Sequence, residues 1–203
     1  MSLKKSNPPT LWIVAGPNGS GKSTLYSNAN IEGFGRSIWI INPDLLAERI
    51  RTNEKMPLLQ ANGEALTRIQ HWLNASINAY QTIGVETVLS TDKYQTLVTQ
   101  AKDRGFEIRL LYVTLRTPQM NVERVRLRVA AGGHRVLKKK IIERRKRSFQ
   151  HLPWFLERAD VALIYDNSDD KPILVARKEN GLIQIEPDAP KEILYAVESI
   201  KTN

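Results

Sequence analysis

A mostly parallel β-sheet covered by helices on both faces, with a C-terminal hairpin at the sheet edge, is the α/β fold that three observations predict. Short apolar runs alternate with longer segments of helical period, the pattern that builds strand–helix–strand crossovers. A glycine-rich run, Gly16 to Thr24, stands between the first apolar run and the first helical segment, where a strand-to-helix turn belongs. The chain has 203 residues, 41% of them hydrophobic, enough for one sizeable core, and no repeat, low-complexity tract or linker marks the start of a second. The expectation is one domain over residues 1–203, with residues 1–10 and their Pro8-Pro9 pair as a short leading arm.

Taken in order, the apolar runs place strands at Leu11–Ala15, Ser37–Ile41, Gly84–Leu89, Glu107–Thr114 and Val161–Tyr165. Helical periodicity predicts helices from Lys22, after Asp44, and across Gln60–Tyr80, Thr91–Lys102, Pro118–Ala131, Lys138–His151 and Lys191–Ile200. Thr117 before Pro118 reads as an N-cap with proline at the first helical position, and Gly132-Gly133 as the terminator of the same helix. Pro172–Arg177, then Glu179-Asn180-Gly181, then Leu182–Ile185 read as a hairpin with an Asn-Gly turn at a sheet edge. Trp12, Trp39 and Trp72 fall on these elements and are expected in the core.

Composition narrows the chemistry. There is no cysteine, which excludes disulfides, zinc ribbons, iron–sulfur clusters and thiol nucleophiles and fits the cytoplasm. Leu11–Ala15 is the only strongly apolar run near the start, far short of the roughly 20 residues of a membrane span. No membrane partner is expected. Thirty Lys and Arg against 21 Asp and Glu give +9, so a negatively charged partner is expected: nucleic acid, lipid headgroups or a phosphorylated small molecule.

Gly16-Pro17-Asn18-Gly19-Ser20-Gly21-Lys22-Ser23-Thr24 matches G-x-x-x-x-G-K-[ST] in the strand-then-helix context that gives the pattern its meaning. Phosphates carry crowded negative charge. Backbone N–H groups must wrap them closely, and glycines permit the backbone angles and approach that side chains forbid. The helix starting at Lys22 adds its positive dipole end. Lys22 is expected to reach the β- and γ-phosphates of ATP or GTP, and the Ser23 hydroxyl to ligate Mg²⁺. The fold expected is therefore of the P-loop NTPase type.

The basicity is local. Arg124 to Arg147 holds eleven basic residues and one acid, Glu143, whereas outside it nineteen basic residues face twenty acidic ones. Val122, Val125 and Val129 are expected to face inward on the first helix of this stretch, which leaves Arg124 and Arg128 one turn apart on a flanking face. Guanidinium groups held in place stabilise the charge that develops on a phosphoryl group in transit. No aromatic residue precedes Phe149 after the start of the stretch, so a base-stacking platform for nucleic acid is missing. Among the acids, Asp44 follows the second strand and either accepts a hydroxyl proton or caps the helix beginning at Leu45. Glu86, inside an apolar strand, must be paired with a cation or face a substrate. Asp92 reads as a helix cap, and Asp166 as a strand-end turn or a water-mediated Mg²⁺ partner. His134, in a loop remote in sequence from His71 and His151, is expected to hydrogen-bond rather than to bind metal.

The chain resembles the zeta-toxin family of P-loop kinases, in its branch of stand-alone bacterial proteins, over roughly Leu11 to Ser168. The resemblance rests on Ala15 to Thr24, Ile41-Asn42-Pro43-Asp44, Glu86-Thr87-Val88-Leu89-Ser90, Arg124-Val125 with Arg128-Val129, Gly132-Gly133-His134, Arg144 with Arg147-Ser148, and Tyr165-Asp166-Asn167-Ser168. It implies a kinase that uses ATP or GTP with Mg²⁺ to phosphorylate the amino-sugar hydroxyl of UDP-N-acetylglucosamine, and an antitoxin as a protein partner. By that resemblance Asp44 is the base, and Lys22 with Arg124 or Arg128, joined by Arg135 or Arg144, supplies the stabilising charge. Glu86 and Thr87 face the sugar, with Arg135 and Arg144 also on the substrate side. The chain departs from the family pattern at Val88, where a hydroxyl residue is usual, at Leu137, where proline is usual, and at Arg145, where tyrosine is usual. From the residues alone, a nucleic-acid-associated ATPase and a nucleotide-binding regulatory module that transfers nothing remain open.

Overall fold

A computed structural model describes residues 7–28, 38–133 and 135–201. In chain order the elements are β1 (Thr10–Ala15), α1 (Lys22–Asn28), β2 (Ile40–Ile41), α2 (Pro43–Asn53), α3 (Leu58–Asn78), β3 (Ile83–Thr87), α4 (Gln95–Asp103), β4 (Glu107–Thr114), α5 (Pro118–Ala130), α6 (Lys138–Arg158), β5 (Val161–Asp166), β6 (Ile173–Glu179), β7 (Leu182–Ile185) and α7 (Lys191–Lys201). The strands form one sheet in the order β2-β3-β1-β4-β5-β6-β7. Pairing is parallel from β2 to β5 and antiparallel for the last two strands. The α/β class, the parallel sheet and the edge hairpin with its Asn180-Gly181 turn are as expected.

β1 is apolar throughout because both of its faces are covered. Leu11, Ile13 and Ala15 join the larger core with residues of α3, α4, α6 and α7, whereas Trp12 and Val14 join Leu25 of α1 on the other face. Ala15 sits in register with Thr87 on one side and Tyr112 on the other. The chain leaves β1 for β2 and β3 on one flank and returns as β4 on the other, so the carboxyl end of β1 is the switch point at which sheets of this kind open a crevice.

Several boundaries moved, each for a visible reason. Thr10 belongs to β1, and Pro9 O accepts the Glu107 N–H, so only the residues before Thr10 precede the sheet. β2 is two residues long; Ser37 lies outside the described residues. Trp39, just before β2 at the sheet edge, is 57% exposed, and packs on the half-exposed Trp72 with ring centroids 5.4 Å apart. Both are corrections to the expected core; Trp12 is buried. β3 stops at Thr87 rather than Leu89 because Thr87 Oγ1 accepts the Leu89 N–H and Leu89 takes a left-handed conformation, a local turn that leaves the ladder. α4 begins at Gln95, not Thr91. The Asp92 carbonyl, not its carboxylate, receives the Gln95 N–H, and Tyr94 occupies the N-cap position without a side-chain bond.

α6 runs past His151 to Arg158 with Pro153 inside it. Proline in a helix interior costs about 3 kcal/mol. Leu152, Phe155 and Leu156 are buried around it, and burying each such side chain contributes about 2 kcal/mol, so packing carries the helix through. Among the described residues no helix is long and apolar enough to cross a membrane.

Arg145 falls on the inward stripe of α6, where it is nearly inaccessible. Its guanidinium donates to Glu192 Oε1 of α7 at 2.7 Å and lies 4.6 Å from the centre of the Phe149 ring. Weaker bonds reach Thr114 Oγ1 and Arg116 O, each at 3.4 Å. Burial pushes its pKa below the usual arginine value, and the Glu192 charge opposes that. The helix keeps its packing by burying the guanidinium against a counter-ion that itself stays partly exposed. Glu192→Ala should therefore destabilise the fold by about 3 kcal/mol, because it strands a buried guanidinium, whereas Arg145→Met should cost roughly 1 kcal/mol since the stem still packs. Urea unfolding at neutral pH gives both numbers, and the opposite ranking would show that the ion pair is not what holds α7 on α6.

Candidate active site

The loop between β1 and α1 is built for close approach. Gly16 has φ +137°, and a Cβ there would sit 2.0 Å from the Val113 carbonyl oxygen; at Gly21, φ +89°, it would sit 2.3 Å from Asn167 Nδ2. Two asparagines distant in sequence pin the loop from above and beside: Asn121 of α5 donates to Asn18 O and Asn167, just after β5, donates to Ser20 O, both at 2.8 Å. Asn18 Oδ1, Ser20 Oγ and Asn121 Oδ1 are buried without hydrogen-bond partners among the described residues. These features fit a phosphate-binding cradle, with the Lys22 ammonium and the Ser23 hydroxyl at its helix end.

Lys22 reaches back across its own loop. Nζ donates to Gly16 O at 2.9 Å and Pro17 O at 3.2 Å. Burial lowers its pKa; Glu86, 3.9 Å away, and then Asp44 oppose that shift, while Arg128 adds to it. Glu86 is the nearest acid and also the busiest. Its Oε2 accepts the Ser23 hydroxyl at 2.7 Å, Asn42 Nδ2 at 2.9 Å and the Tyr26 hydroxyl at 3.1 Å. Burial, with the adjacent Glu86 charge and hydrogen bond, pushes the Tyr26 pKa up to about 12. The cation partner that a carboxylate in this strand requires is thus Lys22.

A cavity of about 360 Å³ opens beside the loop. It runs from Asn18, Gly19 and Lys22 to Asp44, Glu86, Thr87 and Val88, and is also lined by Arg128 of α5 and Arg144 of α6. The fold therefore brings together Lys22, Asp44, Glu86, Thr87, Arg128 and Arg144. Asp44 is exposed in the first turn of α2. It is not the cap: Asn42 is, accepting the N–H groups of Asp44 at 2.9 Å and Leu45 at 3.2 Å. Asn42-Pro43 carries the same cap-then-proline signal as Thr117-Pro118, and that signal could have assigned it. Thr117 does cap α5, through the Met120 N–H.

Other residues go elsewhere. Arg124 does not line the cavity; its Nη2 lies 3.4 Å from Ser168 O, on the Gly21 side of the loop. Arg135 is exposed on the connection between α5 and α6 and does not line the cavity either. On α5 the fully buried positions are Asn121 and Val125, with Val122 and Val129 only partly covered. Asp166 forms the strand-end turn: Oδ1 accepts the Ser168 N–H and hydroxyl and Oδ2 accepts Arg116 Nε at 2.9 Å. His134 lies outside the described residues. Sequence reasoning missed Asn42, Tyr26 and Lys93, which also belong to the site or its support. Lys93 lines the cavity, its pKa lowered by burial, with Asp44 opposing and Arg144 reinforcing the shift.

A glycine cradle on the central strand of a parallel sheet, with a buried lysine and a cavity beside it, defines a P-loop nucleotide-binding α/β protein. The chain belongs to the AAA domain family, whose family model matches residues 11–152. It is 30% identical over 133 residues to an uncharacterized protein of Haemophilus influenzae, a match covering 61% of this chain and 89% of that one. Its fold is similar to that of a chain in the AvrRxo1-ORF1:-ORF2 complex solved with ATP, with a TM-score of 0.67 at 15% identity over 95% of this chain. The match covers 63% of that longer chain, less than two thirds of its length. It is also similar to a chain of the PezAT chromosomal toxin-antitoxin system of Streptococcus pneumoniae, with a TM-score of 0.62 at 16% identity, covering 99% of this chain and 89% of that one. The fold expected from the zeta-toxin resemblance is thus the fold present.

The Lys22–Glu86 arrangement makes a pH prediction. A lysine with a lowered pKa grips phosphate below that pKa and loses its grip as pH rises through it. Glu86→Gln removes the charge that supports the ammonium, so the alkaline fall-off in nucleotide affinity should move to lower pH than in the parent protein. Titrating a fluorescent ATP analogue between about pH 7 and pH 10 measures it; an unmoved fall-off would mean that Glu86 does not support the lysine.

Proposed function

We propose that the protein is a kinase that transfers the γ-phosphoryl group of ATP or GTP to a hydroxyl of a small metabolite, with a UDP-amino sugar such as UDP-N-acetylglucosamine as the acceptor. The observation that carries this reading is the shared cavity: Asp44, Arg128 and Arg144 open onto the same space as Gly19 and Lys22. The AAA domain family, the resemblance in Ile41 to Asp44 and Glu86 to Ser90, and the fold shared with the ATP complex support it.

In this reading Gly16 to Thr24 hold the triphosphate. Ser23 would hold the Mg²⁺ that accompanies the nucleotide, and the ion would supply charge neutralisation to the phosphates. Asp44 takes the acceptor's hydroxyl proton as the new O–P bond forms and the bond from the γ-phosphorus to the bridging oxygen breaks. Lys22 and Arg128 stabilise the charge spread over the travelling group, and Arg124 stands on the far side of the loop. Glu86, Thr87 and Arg144 face the acceptor, with Arg135 at the rim. The basic stretch does not form one stripe for a nucleic-acid backbone, since Arg128 and Arg144 enter the cavity and Arg145 is enclosed. An antitoxin-type partner belongs to the same reading, because the PezAT system pairs a toxin with an antitoxin. So does a cytoplasmic location.

Purified protein incubated with [γ-³²P]ATP, Mg²⁺ and a panel of UDP-sugars, free sugars and nucleosides should label a UDP-sugar; label on no hydroxyl acceptor would sink the kinase reading. Lys22→Ala should nearly abolish transfer. Asp44→Asn should lower kcat by about 10²–10⁴-fold, the usual worth of a general base, with nucleotide Kd retained. An unchanged kcat would reduce Asp44 to a first-turn helix residue. Arg128→Ala should lower kcat more than it weakens nucleotide binding, the signature of an interaction made in the transition state.

A further inference from the structure

We propose that Glu86 is a positioning residue that couples occupancy of the phosphate loop to the placement of Asp44, acting through Asn42. Its Oε2 accepts from Ser23, Asn42 and Tyr26 at 2.7, 2.9 and 3.1 Å. A carboxylate oxygen offers about two lone-pair directions, so three donors compete for them, and a change at one redistributes the others. Ser23 is the donor on the loop. Asn42 is the donor on the acceptor side.

The Asn42 amide is planar, with its donor and acceptor rigidly opposed. While Nδ2 donates to Glu86, Oδ1 accepts the N–H groups of Asp44 and Leu45 and so caps α2. A turn of the amide that follows Glu86 must therefore shift the cap. The first turn of α2 sets where the Asp44 backbone enters the cavity, and the Lys22 and Lys93 charges act on its carboxylate there. A path of three hydrogen bonds thus joins the loop serine to the candidate base: Ser23 to Glu86, Glu86 to Asn42, Asn42 to the Asp44 N–H. The consequence is a reciprocal coupling: a loaded loop favours one placement of Asp44, and whatever fixes Asp44 favours the loaded loop equally. The inference rests on the kinase reading only for the purpose it gives Asp44.

The test uses the full chain, ¹⁵N-labelled, titrated with the non-hydrolysable analogue AMP-PNP and Mg²⁺ while amide resonances are followed. The Gly19 and Gly21 amides report loading, and those of Asp44 and Leu45 report the cap. All four should shift in the parent protein. In Glu86→Ala, and separately in Asn42→Ser, the loop amides should still respond at saturation while the Asp44 and Leu45 response falls at least about fivefold. Serine keeps an N-cap acceptor but is too short to reach Glu86, so that variant cuts the link and spares the helix. Loop shifts with silent Asp44 and Leu45 amides in the parent would overturn the coupling, as would an undiminished response in both variants or a loop that ignores the nucleotide. Intact coupling in a protein that labels no acceptor would instead remove the kinase reading and leave the relay standing.

Discussion

A lysine ammonium held at 7% exposure at the carboxyl end of a parallel sheet is the constraint on which the rest of this structure depends. Burying an unpaired ammonium is costly, and the surrounding chain is arranged to meet that cost. Two loop carbonyls accept from Lys22, one acid in β3 lies 3.9 Å away, and a second, at the start of α2, adds its field from across the cavity. The glycines let the loop fold tightly enough for those carbonyls to reach, and Asn121 and Asn167 stop it from relaxing outward. The geometry of the phosphate loop and its local stability therefore draw on the same atoms.

The eleven basic residues between Arg124 and Arg147 show how one kind of charge is divided among several uses. Helical geometry aims successive side chains about 100° apart, so neighbours in sequence part company in space. Arg128 and Arg144 enter the cavity from two helices. Arg145, one residue further on, points into the core and ties α6 to α7. Arg126 pairs with Glu123 on the outer surface at 2.6 Å, where such pairs contribute little. A net positive segment is thus partly a site, partly a structural tie and partly solvated surface.

Glu86 occupies the centre of the site because β3 lies next to β1 and ends level with it. That single register, Val14 beside Glu86 and Ala15 beside Thr87, puts a carboxylate between the loop lysine, the loop serine and the cap of α2. A shift by one residue would turn Glu86 toward the opposite face of the sheet. The hydrogen bonds from Ser23, Tyr26 and Asn42 converge on one oxygen as a result of strand register.

Local pattern was enough for the elements and the class. Five alternating apolar runs, the G-x-x-x-x-G-K-S spacing, Thr117-Pro118 and Asn180-Gly181 are short-range signals, and each is read by physics that acts within a few residues: side-chain periodicity, allowed backbone angles, missing donors. The loop residues, Asp44, Glu86 and Arg128 could be named from the chain because they sit at strand ends or on a basic helix, whereas Thr87 and Arg144 were named through the family resemblance. Tertiary structure alone decided their company. It assigned Asn42 rather than Asp44 to the cap, sent Arg124 and Arg128 to different sides of the loop, enclosed Arg145 with Glu192, left Trp39 at an exposed edge and brought Lys93 to the cavity. Those outcomes depend on contacts between segments tens of residues apart, which strand order and helix docking set and no local window contains.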